Sequence, residues 1–219
     1  MSRLLHILRS LLALTCVGAQ AGPCPAEQFA GGQMPRITVP ALARDTRPLC
    51  SHFFSVLYSG VSRTPLYSAE HLTAQSVASA RVQSRINSFH PDSRLPYGQG
   101  PLLSDYARSG FDRGHMSPNG DMPDRESQHE SFALTNMVPQ DPNNNRHLWA
   151  GIETATRNMA EQASEAYVVT GPAFLGNVSR VGNVEVPNYL WKAVYLPRVG
   201  GPGGSAAAWI TPNAAGKAY

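Results

Sequence analysis

The chain has 219 residues, of which 42% are hydrophobic and 15% charged, with 18 basic against 15 acidic side chains. That is enough chain to bury a core in one medium domain. With 19 glycines, 18 prolines and three cysteines, the composition is loop-rich and excludes collagen, a coiled coil, a wholly disordered chain and a cysteine-dense mini-scaffold. No block of like charge marks a nucleic-acid stripe, so a polyanion would have to be held by a few placed arginines and a metal.

Residues 1–21 carry Arg3, an apolar stretch and a terminal Ala19-Gln20-Ala21, the small-x-small cleavage pattern of an export signal. Arg9 interrupts the apolar run, which argues against a membrane anchor. Cleavage there leaves residues 22–219, read as a single domain for the periplasm or the medium. Two cysteines remain, Cys24 and Cys50. An even pair in an oxidising compartment favours one disulfide, worth roughly 3 kcal/mol for a loop of about 27 residues. No later stretch is apolar enough to cross a membrane.

Residues 22–49 read as an irregular Pro- and Gly-rich arm. Phe53–Ser59 is a β-type run ending at Gly60, with Thr64–Ser68 as its partner after a short turn. Ser68–Leu72 opens like a helix or turn, Thr73–Val82 has no clear pattern, and residues 86–104 carry loop chemistry. Asn143–Ala166 is helical in pattern, with Leu148, Ile152, Ala155, Met159 and Ala163 on one buried face. Tyr167–Pro172, Tyr189–Leu196 and Ala206–Ile210 are further strands, and Gly200–Gly204 is a flexible loop. Strands on both sides of a long helix predict an α+β domain with mainly antiparallel pairing.

Reactive side chains concentrate in Asp112-Arg113-Gly114-His115, Thr135-Asn136 and Asn143–Glu153. An accessible imidazole with an unperturbed pKa near ~6.5 is a usable general base, and Arg113 is a fixed cation able to grip a phosphate. Asn145, Trp149, Glu153 and Arg157 recur every four residues, a slowly winding helical stripe that drifts by ~40° per step. The Asn145 amide oxygen suits a hard cation such as magnesium, which keeps several waters. Glu153, ~12 Å further along the axis, suits metal-bound water better than direct ligation.

Taken together, Asp-Arg-Gly-His, then Phe-x-x-Thr-Asn-x-x-Pro-Gln, then Asn-x-x-x-Trp-x-x-x-Glu resemble the DNA/RNA non-specific endonuclease family, which includes secreted bacterial nucleases and mitochondrial endonuclease G. Three linked motifs in order, from about Tyr106 to Arg157, are specific where one alone would be only suggestive. The resemblance implies a ββα-metal nuclease core, its mainly antiparallel sheet flanked by helices. It implies His115 as the base that activates water and Asn145 as the protein ligand of Mg2+, with Mn2+ as an alternative ion. Arg113 matches the motif arginine, Asn136 an asparagine near the base, and Glu153 the group that orders metal-bound water. Arg157 matches a phosphate-contacting arginine, and Arg85 the further transition-state arginine. DNA and RNA are the implied substrates, held by the phosphate backbone and cut without strong sequence specificity.

Plainer readings stand beside these. His115 has the competing reading of a satisfied core histidine, and Asp112 is read as structuring its turn. Trp149 is read as core packing and His129 and His147 as solvated. Asn143 and Asn144 are read as helix caps, and Glu153 as an i+4 partner of Arg157. Family members generally run beyond the point matching Tyr219, and Met116-Ser117-Pro118 departs mildly from the usual step after the histidine. Two other functions remain open: a catalytically silent nucleic-acid-binding protein on this fold, and a hydrolase of small phosphodiesters. No G-x-S-x-G elbow supports a Ser-His-Asp hydrolase.

Overall fold

In chain order the strands are β1 (Thr46–Cys50), β2 (Phe54–Ser59), β3 (Thr64–Thr73), β4 (Asp112–His115), β5 (Met137–Gln140), β6 (Glu165–Ala173), β7 (Arg180–Val181), β8 (Val184–Glu185), β9 (Tyr189–Leu196) and β10 (Ser205–Pro212). The helices are α1 (Ala74–Arg81), α2 (Leu103–Tyr106), α3 (Arg125–Ser131) and α4 (Ala150–Ala163). These come from a computed structural model that describes residues 24–215. The export segment expected over residues 1–21, with Cys16, lies outside the described residues.

The main sheet runs β1-β2-β3-β6-β9-β10 with every neighbouring pair antiparallel. Successive strand residues face opposite sides. On β3, Leu72 packs under α1 and α4 with Val77, Ala160, Val168 and Val194. Tyr67 and Ala69 point the other way, against Cys24 and Phe29 of the N-terminal arm. The arm is tied down by the Cys24–Cys50 disulfide, whose Cα atoms are 5.2 Å apart. Its last residues are not irregular as expected: Thr46–Cys50 forms β1, where Pro48 is tolerated because the strand lies at the sheet edge.

One further expectation is corrected between β3 and α1. Ser68–Leu72 does not open a helix; it continues β3, pairing with Thr170 through Ala166 of β6. The helix starts later, at Ala74, where Thr73 and Ser76 cap each other reciprocally with side-chain and backbone bonds of 3.0 and 2.9 Å. A serine in place of the usual acidic partner hides that box in the sequence.

The long helix begins with a π-helical turn, Asn144–Trp149, and continues as α4. Asn143 and Asn144 do not cap it through their side chains. Asp141 does, its Oδ1 accepting the N–H groups of Asn143 and Asn144 at 2.9 Å each. The fully buried face is Trp149, Ile152, Thr156, Ala160 and Ala163, so Ala155 and Met159 are half-buried beside it. Small Thr156 and Ala160 let the helix approach the sheet, and the Thr156 hydroxyl is satisfied by the Ile152 carbonyl at 2.9 Å. The helix stops at Ala163, earlier than expected. Ser164 takes left-handed φ of 71° and β6 starts at the next residue. The Ser164 carbonyl accepts the Ala74 N–H at 2.9 Å, joining the end of α4 to the start of α1.

Candidate active site

β4 and β5 pair antiparallel with Asp112 opposite Gln140 and His115 opposite Met137. The motif glycine is required by close approach: a Cβ on Gly114 would lie 1.9 Å from Gln140 Oε1. Gln140 Nε2 donates to Asn144 Oδ1 at 2.8 Å, and Asn144 Nδ2 donates to the Pro212 carbonyl at 3.0 Å. The strand pair thereby sets the start of the helix against the end of β10.

His115 is buried, with its ring 5.8 Å from Phe89 and 5.2 Å from Phe132. Each of these phenyl rings also carries a guanidinium, Arg113 at 4.1 Å over Phe89 and Arg85 at 5.3 Å over Phe132. Burial, then the Arg85 and Arg113 charges, push the His115 pKa down to about 3. The ring is therefore neutral, and its buried Nε2 has no hydrogen-bond partner. The reading of His115 as a satisfied core histidine does not fit that atom.

Asn136 lies behind the histidine. Its Oδ1 accepts the Ser117 N–H, and its Nδ2 donates to the Ser117 and Ser131 carbonyls, each at 2.9 Å. Fully buried, it clamps the chain leaving β4 and does not line the cavity.

Across the cavity, Asn145 Nδ2 donates to Asp112 Oδ2 at 2.9 Å. Arg146 grips the same carboxylate through Nε at 2.9 Å and Nη2 at 2.7 Å. Burial works against the Asp112 charge, but these hydrogen bonds with the Arg146 and Arg113 charges hold its pKa below the ordinary value. Asp112 thus orients the helix start, where the sequence reading has it structuring only its own turn, and leaves Oδ1 as the free end of the Asn145 amide.

Glu153 has no hydrogen bond from any described residue, and burial pushes its carboxyl up to about 7. It does not pair with Arg157. Arg157 Nη1 instead donates to Asp121 Oδ1 at 2.7 Å and Nη2 to Thr154 Oγ1 at 3.0 Å. Trp149 is core, packed with Met116, Val138, Ile152 and Leu190, so the four-residue stripe splits: Trp149 turns into the core while the other three members line the cavity. His147 is exposed, and exposed His129 stacks on His90 at 4.4 Å.

Arg85, Arg113, His115, Asn145, Glu153 and Arg157 line one open cavity of about 800 Å³. Sequence reasoning missed Asp121, the partner of Arg157, and Arg146, the second hold on Asp112. Asp121 stands six residues after the motif histidine in a polar turn, where nothing local distinguishes it. A strand pair crossed by a helix, with a neutral histidine facing an amide and a carboxylate, defines a ββα-type hydrolytic centre.

Comparison with known proteins agrees. Residues 32–219 match the family described as DNA/RNA non-specific endonuclease, and the chain belongs to that family. Nuclease C1 of Cunninghamella echinulata var. echinulata is 36% identical over 191 residues, covering 80% of this chain and 74% of the relative. Mitochondrial nuclease 1 of Schizosaccharomyces pombe is 30% identical over 192 residues, covering 80% of this chain and 59% of the relative. A nuclease of Nostoc sp. is 34% identical over 158 residues, covering 71% and 56%. The chain therefore spans three quarters of the first relative and little over half of the other two. A solved structure of the EndoG/EndoGI complex contains a chain that superposes with a TM-score of 0.66 at 27% identity, covering 76% of this chain and 74% of that one.

Proposed function

We propose that this chain is an exported, metal-dependent endonuclease that hydrolyses phosphodiester bonds of DNA and RNA, with residues 22–219 as one nuclease domain. The observation that carries the reading is the neutral His115, its Nε2 unpartnered, on the wall of a cavity shared with Asn145, Glu153 and three arginines.

His115 is the general base, its neutral imidazole taking a proton from the attacking water. A phosphodiester anion near Arg85 and Arg113 would offset the two charges that depress the imidazole pKa, raising its basicity when substrate is bound. Arg157, braced by Asp121, and Arg85 meet phosphate charge, which grows in the transition state. Such contacts position the backbone without reading bases, so low sequence specificity is expected.

The donor set fits a magnesium ion. Among the described residues no group of three or more His, Cys, Asp and Glu side chains is placed to hold a metal. What the site offers instead is the oxygen end of Asn145, fixed by Asp112, with the Glu153 carboxylate nearby on the same helix. Hard oxygen donors with water completing the shell suit Mg2+, and Mn2+ would be accepted by the same atoms. Asn145 would ligate it and Glu153 would hold its water. When bound, the ion supplies Lewis-acid stabilisation of phosphate and leaving-group oxygens.

Supercoiled plasmid, single-stranded RNA and a small model diester, each incubated with magnesium or chelator, test the reading. Metal-dependent cutting of both polymers, lost in His115→Ala and Asn145→Ala, is expected. Binding without cutting would favour the silent protein, and turnover of the small diester alone would favour the small-substrate hydrolase.

A further inference from the structure

Two buried charges, Glu70 and Lys192, are not used by the proposed reaction. Glu70 of β3 and Lys192 of β9 are fully buried, as is Asp121 in the turn after β4. Lys192 Nζ donates to Thr170 Oγ1 at 2.7 Å, and Arg157 of α4 reaches Asp121 Oδ1. Three carboxyl groups, Glu70, Asp121 and Glu153, thus share one electrostatic neighbourhood with two cations, Lys192 and Arg157.

Glu70 and Asp121 are electrostatic neighbours in the same interior, and both Glu70 oxygens and Asp121 Oδ2 are buried with no hydrogen-bond partner. Two ionised carboxylates cannot satisfy each other. Neither owns a hydrogen, and like charges pressed together in a dry interior raise one pKa strongly. A single proton converts the clash into an O–H···O⁻ bond of the strong, charge-assisted kind. It also leaves an ionised Asp121 facing the Arg157 guanidinium with no second full negative charge pressed against it.

The choice between the two oxygens follows from their partners. Burial raises the Asp121 carboxyl too, but Asp121 accepts from the Arg157 guanidinium, which favours its charged form. Glu70 receives no such bond, and burial followed by the Asp121 charge pushes its carboxyl well above the usual range despite Lys192. We infer that Glu70 is a positioning residue of the nuclease centre: it holds the proton of the Glu70–Asp121 pair and, through Asp121, fixes the Arg157 guanidinium on the cavity wall. The inference rests on the reading of Arg157 as a phosphate contact.

Infrared difference spectra of the purified chain read the proton directly. In a Glu153→Gln background, which removes the other carboxyl that titrates near neutrality, the carbonyl band of a buried, protonated carboxylic acid is expected at neutral pH and absent once Glu70→Gln is added. Plasmid cleavage reads the positioning. Glu70→Gln still donates to Asp121, so its kcat and KM should stay within about threefold of wild type. It should also lose the alkaline decline that sets in when Glu70 ionises. Glu70→Leu has no donor and should lose about tenfold or more in kcat.

A band that persists once Glu70→Gln is added, or a Glu70→Gln enzyme as impaired as Glu70→Leu, overturns the inference. If Glu70→Leu does not fold, the Glu70→Gln band and pH profile decide alone. A wild type that cuts nothing overturns the nuclease reading and the positioning role with it, while the band still locates the proton.

Discussion

Asn145 Nδ2 donates to Asp112 Oδ2 across 2.9 Å, so the helix that presents the amide is tied to the strand that presents His115. The tie consumes the nitrogen and leaves the oxygen, which makes Asp112 the residue that orients the proposed ligand. Asp112→Ala should therefore lower magnesium affinity or kcat by about 10- to 100-fold, the usual cost of losing a group that orients a metal ligand. Stability should change little, because Arg146, the other partner, is an exposed residue. Magnesium titration of plasmid cleavage checks this, and an unchanged magnesium dependence would sink the assignment.

The depressed pKa of His115 gives a pH test. Arg85 and Arg113 both push it down, so removing one charge must raise it. The acidic limb of kcat/KM, which reports the free enzyme, should move to higher pH in Arg85→Ala. The rate itself should fall by about a hundredfold if Arg85 meets transition-state charge. A limb that stays put while the rate falls would mean that a group other than His115 titrates.

Stability should carry opposite contributions from His115 and Glu153. His115 sits near 3 in the fold against an ordinary 6.5, so the unfolded chain binds a proton that the fold refuses, and stability drops as pH falls across that window. Glu153 sits near 7 against an ordinary 4.5; the fold keeps a proton that the unfolded chain releases, and stability drops as pH rises through that range. Each slope approaches about 1.4 kcal/mol per pH unit, and where the windows overlap they offset. Glu153→Gln removes one of them. In chelator, urea melts of this variant should show a steeper loss on acidification than the wild type and a gain over it towards neutral pH. Parallel curves for the two proteins would contradict the raised Glu153 pKa.

Cys24–Cys50 anchors the arm on the face of the sheet that packs Tyr67 and Ala69, away from the cavity lining. The Cys24→Ser/Cys50→Ser double variant should lose about 3 kcal/mol of stability by the chain-entropy estimate. Its kcat on plasmid, measured well below the melting temperature, should match the wild type. A large loss of kcat at full folding would show that the arm reaches the site by a route not visible in these contacts.

The fold and site were unequally legible in the sequence. The β9 bounds, Tyr189–Leu196, and the β4 motif could be read because alternation and reactive residues sit in contiguous runs. The role of Asn136 could not: residue type says that an amide is present, not that both its ends are spent on Ser117 and Ser131. Glu70 and Lys192 were invisible for another reason. A charged residue in an alternating strand reads as solvent-facing, and only the sheet register and the covering helix put both on the inner face. The i+4 spacing offered Glu153 as a plain partner for Arg157, while the partner in the fold, Asp121, comes from a turn 36 residues earlier.

Ser164 leaves no spare residue between α4 and β6, which makes the corner a mechanical linkage. Glu153 and Arg157 ride on the helix, while Thr170, the partner of Lys192, rides on the strand. Any slide of the sheet is passed directly to the wall of the cavity. Two glycines inserted at this corner would add little closure entropy, yet they would put slack between helix and sheet. Connection length here governs the aim of the site more than the survival of the fold.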